Sequence, residues 1–178
     1  MPRLPSRIGR VPVDRATFRD LAGAFPSGVT IVTTVDEHGS PRGLTSQAFI
    51  ALSTDPPLML VSLERSSRTL AAIRRSGRFV INFLKVGSED LSTRFATKAN
   101  NKFAGVPWTA SGVSGGPVLD GAITAFADCA VVEAIEQGDH VLFVGSVEGG
   151  RVAGGAPLLY YRRTYAGWPE EKPAPPVL

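Results

Sequence analysis

Apolar and polar positions change period several times along this 178-residue chain. Phe18, Leu21, Ala22 and Phe25 recur at helical spacing after Asp14, which predicts a helix capped by that aspartate and stopped by Pro26-Ser27-Gly28. The period then drops to two. VTIVTTV, the turn DEHGS and residues 41–53 predict a hairpin with Thr, Val and Ile in strand positions. Asp55-Pro56-Pro57 breaks the pattern, and LMLVSL resumes it as a further strand. A helix carrying Leu70, Ala71 and Ile73 follows, with Ser66 or Ser67 as its cap and Gly77 as its end. RFVINFL predicts a strand and SEDLSTRFA a short helix. Residues 100–122 are rich in Gly, Pro, Ser and Asn and read as loop, with Trp108 expected to pack on something. Two long strands, approximately ITAFADCAVVEAIEQ and HVLFVGSVEGG, flank a Gln137-Gly138-Asp139 turn, and PLLYY is the last strand before Tyr165 and Trp168. This order predicts a mainly β fold with flanking helices: an antiparallel barrel with helices covering its openings. One domain is expected over residues 14–168, between proline-bearing arms at 1–13 and 169–178.

Composition narrows the classes. A hydrophobic share of 43% is ample for one core. No run approaches the roughly 18 apolar residues of a membrane helix, and MPRLPSRIGRVP lacks an apolar leader segment, so the expectation is a soluble, cytoplasmic protein with no membrane partner. The single cysteine, Cys129, leaves no intramolecular disulfide and reads as a small buried hydrophobe within AFADCAVVEAI. Two histidines and one cysteine argue against a protein metal site. A net charge of +3 suits an anionic small molecule and is too weak to argue for nucleic acid. Arg65, Arg68, Arg74, Arg75 and Arg78 crowd one window, which reads first as a solvated helix face.

Chemistry enters through a polar knot at the head of an apolar strand. Gly43, Thr45, Ser46 and Gln47 lead into Phe49-Ile50-Ala51-Leu52. Two readings stay open: a strand edge whose hydroxyls and backbone hold an extended polar ligand, or a bulge or turn using small residues for geometry. Ser66-Ser67-Arg68-Thr69, at a helix start, offers free backbone N–H groups and hydroxyls to a phosphate and favours the first. No dinucleotide or phosphate-loop glycine motif is present. Gly112-Val113-Ser114-Gly115-Gly116 matches a hydrolase nucleophile elbow, and Asp120 or Asp128 followed by His140 supplies the chain order, but Gly116-Pro117 and Asp120-Gly121 oppose the helix that an elbow needs. His140 follows a Gly-Asp turn, where a histidine serves as a turn residue or as a catalyst. His38, in EHGS, is expected in solvent.

These segments, taken in order, resemble the short-chain flavin reductase family, the reductase components of two-component flavin-dependent monooxygenases. The resemblance runs from residue 18 to about 165 through FRDLAGAFPSGVTIVTT, GLTSQAFIALSTDPPLMLVSL, SSRTLAAI, GRFVINFL, LSTRFA, GPVLDGAITAFADCAVVEAIEQGDHVLFVGSV and PLLYYRRTY. It implies an FMN-binding split β-barrel, antiparallel and Greek-key-like, usually a homodimer with flavin near the subunit interface. It places Thr45, Ser46, Gln47 and Ala48 at the isoalloxazine edge, and Ser62, Leu63, Ser67, Arg68 and Thr69 around the ribityl and phosphate groups. Phe95 matches an aromatic near the flavin, Lys102 a basic candidate for the phosphate, and Tyr165 a neighbour of the pocket. His140 matches a histidine near the nicotinamide. The implied reaction is hydride transfer from NADH, with NADPH possible, to FMN or FAD as an exchangeable substrate, and the implied partner is a flavin-dependent monooxygenase component. A non-catalytic flavin-binding barrel, or an oxidoreductase of the same fold with tightly bound flavin or deazaflavin, is the alternative. Arg65, Arg74 or Arg78 are the candidates for the 2′-phosphate of NADPH.

Overall fold

The Thr17 N–H donates to Asp14 Oδ1 at 2.8 Å, so the expected cap starts helix α1 (Arg15–Gly23). The computed structural model describes residues 12–168; the expected arms at 1–13 and 169–178 lie outside that range, apart from residues 12 and 13. Strands β1 (Ser27–Gly28) and β2 (Thr30–Val35) follow α1, and Asp36 closes the next turn by accepting the N–H groups of His38 and Ser40. The chain returns as β3 (Pro41–Ser46), antiparallel to β2.

Residues 41–53 are not one strand. The chain leaves β3 at Ser46 and begins β4 (Phe49–Thr54) after two residues, and β4 pairs with β5 (Pro57–Glu64) instead of continuing alongside β2. Helix α2 (Arg68–Ser76), β6 (Arg78–Leu84) and α3 (Glu89–Ala96) come next. The middle loop carries only the two-residue strands β7 (Thr109–Ala110) and β8 (Pro117–Val118). The long pair β9 (Ile123–Gln137) and β10 (His140–Val152) precedes β11 (Leu158–Tyr161) and β12 (Thr164–Gly167). Seven strands form one antiparallel sheet in the order β3-β2-β6-β9-β10-β5-β4. Its two edges are consecutive in sequence. The link Gln47-Ala48 carries the chain from one edge to the other, the Ser62 N–H to Ala48 O bond at 3.0 Å extends the β4–β5 ladder into that link, and Ser46 Oγ at the end of β3 donates to Ser62 O at 3.5 Å where the sheet closes into a split barrel.

The interior alternates as the pleat requires. Val61, Leu63, Phe79, Ile81, Cys129, Val141 and Phe143 fill the main core with Leu70 and Ile73 of α2. A second core holds Ile31, Val80, Leu84, Phe95 and Leu119, with Trp108 packed on its edge as expected and its ring 6.3 Å from that of Phe103. A buried polar knot joins the middle loop to the sheet: Asn82 Nδ2 donates to Ile31 O, Thr33 Oγ1 and Pro117 O, and the Leu119 N–H donates to Asn82 Oδ1. Every polar atom of that amide is satisfied, which a buried amide requires.

Two further expectations are corrected. Helix α1 covers no opening, since it buries none of its residues and leaves Phe18, Leu21 and Phe25 exposed. Strand β4 is not core either. Ile50 and Leu52 are exposed, because β4 lies at the sheet edge and none of the described residues covers them. Among the described residues, no helix is long and apolar enough to cross a membrane.

Candidate active site

Where the edges of the barrel meet, a groove of about 650 Å³ runs past the β3–β4 link, Ser62 of β5, the start of α2, the segment after α3 and His140. The polar knot serves both uses that the sequence left open. Ser46 Oγ accepts the Ala48 N–H at 3.1 Å and the Phe49 N–H donates to Gln47 O, so small polar residues shape the crossover. The same residues line the groove, with Gln47 and Ala48 exposed in it. Gly43 has a different reason. A Cβ there would sit 2.8 Å from Phe95 Cε1, so the close approach that glycine permits is to a buried ring.

Ser67 is the cap of α2: its Oγ accepts the Thr69 N–H at 3.2 Å, and Gly77 ends the helix in the left-handed region at φ 65°. This N-terminus opens onto the groove through Ser66, Ser67, Arg68 and Thr69. Uncapped first-turn N–H groups and the helix dipole make it a seat for a phosphate. Arg68 also reaches across the groove mouth, donating from Nη2 to Lys98 O at 2.7 Å and Ala99 O at 2.9 Å. Lys102 donates to Phe95 O at 2.8 Å and Gly43 O at 3.2 Å, tying the end of α3 to β3. Burial, and then the charge of Arg68, pull its ammonium below the ordinary lysine value.

His140 opens β10, and its Cα partner across the ladder is Glu64 at the end of β5. Its Nδ1 lies 2.7 Å from Asp139 Oδ1. A carboxylate only accepts, so Nδ1 carries the proton and Nε2 is the ring nitrogen left for a ligand. The hydrogen bond from His140, and then its charge, hold the Asp139 carboxyl below the usual range. The turn itself is fixed by the Arg65 N–H, which donates to Asp139 O at 2.9 Å.

The groove thus brings together every residue expected at the site except Leu63 and Tyr165. Period two turns Leu63 inward, where it is 1% exposed in the main core, while Ser62 and Glu64 on either side face the groove. Tyr165 stands behind the wall. It packs on Tyr160 and donates to Ser92 Oγ at 3.0 Å, on the α3 residue whose carbonyl accepts from Thr45 Oγ1 at 2.6 Å. Phe95 is fully buried beneath the wall, edge-on to Phe103. Sequence reasoning missed Glu64, Arg42 and the segment Thr97–Asn100, all in the lining. The run KANN after a helix was their only local signal. The elbow motif is no nucleophile site: Ser114 Oγ lies 2.9 Å from Ser111 Oγ, and the Ser114 N–H donates to Asp128, in a loop that shares no lining residue with the groove holding His140.

The lining fits a flavin. The volume lies in the range of small-molecule sites, with an anion seat at the helix start and hydrogen-bonding backbone at the crossover. Comparison with known proteins agrees. A family described as the flavin reductase like domain matches residues 22–169. A flavin reductase (NADH) from Kitasatospora aureofaciens is 41% identical over 95% of this chain and 90% of its own. The crystal structure of nitrilotriacetate monooxygenase component B from Mycobacterium thermoresistibile superposes with a TM-score of 0.83 at 41% identity, covering 90% of this chain and 91% of that one. The NADH:FAD oxidoreductase SgcE6 of Streptomyces globisporus, in complex with NAD and FAD fragments, has a TM-score of 0.82 at 29% identity, covering 89% and 94%. With this fold, this groove and these relatives, the chain belongs to the flavin reductase-like family.

Proposed function

We propose that this chain is a cytoplasmic NADH:flavin oxidoreductase that reduces FMN or FAD as an exchangeable substrate and supplies it to a partner monooxygenase component. The observation that carries this reading is the single groove in which the α2 N-terminus, the β3–β4 crossover and His140 meet. A bound flavin supplies the hydride-accepting ring, so the protein needs no nucleophile of its own. Its residues orient and neutralise. The start of α2 holds the phosphate, the backbone of Thr45–Ala48 borders the ring, and His140 Nε2, steadied through Asp139, positions the nicotinamide.

The arginines favour NADH over NADPH. Arg65 and Arg74 are both bonded to Glu136, at 2.6 and 2.5 Å, and Arg78 is bonded to Glu148 at 2.9 Å. The three arginines considered for a 2′-phosphate thus each have a carboxylate partner at the surface, and none of them lines the groove. Relatives are named for NADH and, at 38% identity, for NADPH, so NADH rests on the arginine pairing and on the NADH-named protein of higher identity, while the name of the M. thermoresistibile neighbour supports a monooxygenase partner. A homodimer belongs to this proposal, and the exposed apolar residues of α1 and β4 support it.

The test is anaerobic loss of NADH absorbance with no added flavin, with FMN and with FAD, run in parallel with NADPH. Saturable, flavin-dependent loss that is faster with NADH is expected. No loss under any combination, despite flavin binding by fluorescence, overturns the reductase reading.

A further inference from the structure

Among the described residues lining the groove, Glu64 is the only carboxylate. Arg42, Arg68, Lys98 and Lys102 share the lining with it. A groove that takes phosphorylated substrates is weakened by a negative wall residue unless that residue gains a specific partner from the ligand. Among the described residues, Glu64 has no salt-bridge cation of its own. Arg65 beside it bonds Glu136, and the one side-chain partner of Glu64 is Ser66, whose Oγ donates to Oε1 at 2.8 Å. That bond fixes the head group and leaves Oε2 to accept from something else. Its place is also defined: opposite His140 across the β5–β10 ladder, and three residues before the cap of α2. It therefore stands between the nicotinamide-orienting histidine and the phosphate seat, where a nucleotide presents its sugar.

We propose that Glu64 is a specificity-determining residue that accepts hydrogen bonds from the sugar hydroxyls of a substrate and refuses a phosphate at that position. The proposal rests on the reductase reading above. Hydroxyl donors of this kind come from two sources, the ribose of the nicotinamide nucleotide and the ribityl chain of the flavin. A free hydroxyl gives its proton to Oε2 in a charge-assisted bond. A phosphate monoester is mostly the dianion at neutral pH, so it rarely has a proton to donate and meets a like charge. A carboxylate near a helix N-terminus also stabilises the helix without touching any ligand, and the experiment separates that role.

Glu64→Gln keeps the shape and the Ser66 partner while removing the charge, and Glu64→Ala removes both. Steady-state kinetics with NADH, NADPH, FMN and lumiflavin, which lacks the ribityl chain, are read beside thermal melts. The expected result is a rise of about tenfold in KM for one substrate in both variants. The melting temperature changes little, and the penalty against NADPH narrows in Glu64→Gln. A rise for NADH that is the same with FMN or lumiflavin as acceptor assigns the ribose. A rise for FMN that is absent with lumiflavin assigns the ribityl chain. Either outcome supports the proposal. Unchanged KM values for both substrates, with only the melting temperature lowered, overturn it in favour of the helix-terminus role. Should the wild-type protein oxidise no NADH with any flavin, the reductase reading fails separately. Glu64 is then judged from dissociation constants for FMN and NADH measured by their own fluorescence, where equal values in wild type and Glu64→Ala overturn the proposal.

Discussion

At the residue scale, His140 and Asp139 act as a pair. Because Nδ1 gives its proton to Asp139, the imidazole is held with Nε2 available. On the proposed role, His140→Ala would remove the contact to the nicotinamide while leaving the start of α2 and the crossover intact. A fall of about tenfold or more in kcat/KM for NADH is expected, with the flavin dissociation constant nearly constant. Equal loss in both measurements counts against the assignment. The pair also sets a pH window. The folded value of Asp139 is depressed, so its contribution to stability is complete above the unfolded value near pH 3.9 and drains away as pH falls through the lowered folded value. Melts of wild type and Asp139→Asn should differ slightly at pH 6, the group being exposed, and draw together as the pH falls below the unfolded value. Cys129 gives a second residue-level test. Burial, then Asp128 and Glu148, push its thiol up to about 12, so Ellman's reagent at pH 8 should leave it unmodified until the protein is unfolded in guanidinium.

At the scale of elements, the wall of the groove is braced by cations on main-chain carbonyls. Arg68 holds Lys98 and Ala99, Arg94 holds Asn101 and Ala104, and Lys102 holds Gly43 and Phe95. Residues 96–101 are otherwise exposed. Arg68→Ala should therefore speed tryptic cleavage after Lys98 several-fold and weaken flavin binding, whereas unchanged cleavage would show that the segment holds without it. Opposite this brace, Gly43→Ala would drive a methyl into Phe95, whose ring is already packed edge-on to Phe103 at 4.8 Å, and a loss of about 1–3 kcal/mol by urea unfolding is expected. The elements also show what a sequence can and cannot disclose. Helix α2 was legible from Ser67 and Gly77 because caps are local chemistry. The break between β3 and β4 was half legible: the polar residues before Phe49 admitted a bulge or turn, but only distant partners, β2 for one half and β5 for the other, divide residues 41–53 into two strands. Strand β12 escaped notice because its hairpin turns at Arg162 and Arg163, both at positive φ, where the usual Asn or Gly signal is missing. The residues that the family resemblance named fall along one groove, apart from the side chains of Leu63 and Tyr165: a motif gives chain position, while the strand pleat turns Leu63 inward and the packing on Ser92 sets Tyr165 behind the wall, beside the pocket.

At the scale of the whole molecule, the apolar surface is distributed as if part of the protein were missing. Phe18 and Leu21 of α1 are each 63% exposed and Phe25 is 75% exposed, so the helix turns its apolar repeat to water. Ile50 and Leu52 on the edge strand β4 are 54% and 47% exposed. A helix with a defined apolar face forms stably when that face is covered, and an uncovered edge strand invites association. Covering the side chains of α1 alone would bury on the order of a few hundred Å², short of the roughly 1,200–2,000 Å² of a stable interface, so an interface would need both elements. In the proposed homodimer a second copy of this chain would present the same two surfaces and cover both at once. The crossover Gln47-Ala48 leads directly into β4, so an interface on β4 would press against the groove wall and link assembly to flavin binding. Light scattering should therefore return twice the chain mass. Phe18→Asp combined with Leu52→Asp should give a monomer whose flavin affinity falls about tenfold or more, since the groove edge loses its support. A wild-type monomer in solution would remove the dimer from the proposal. A monomeric double variant with unchanged flavin affinity would show instead that the groove is complete within one chain.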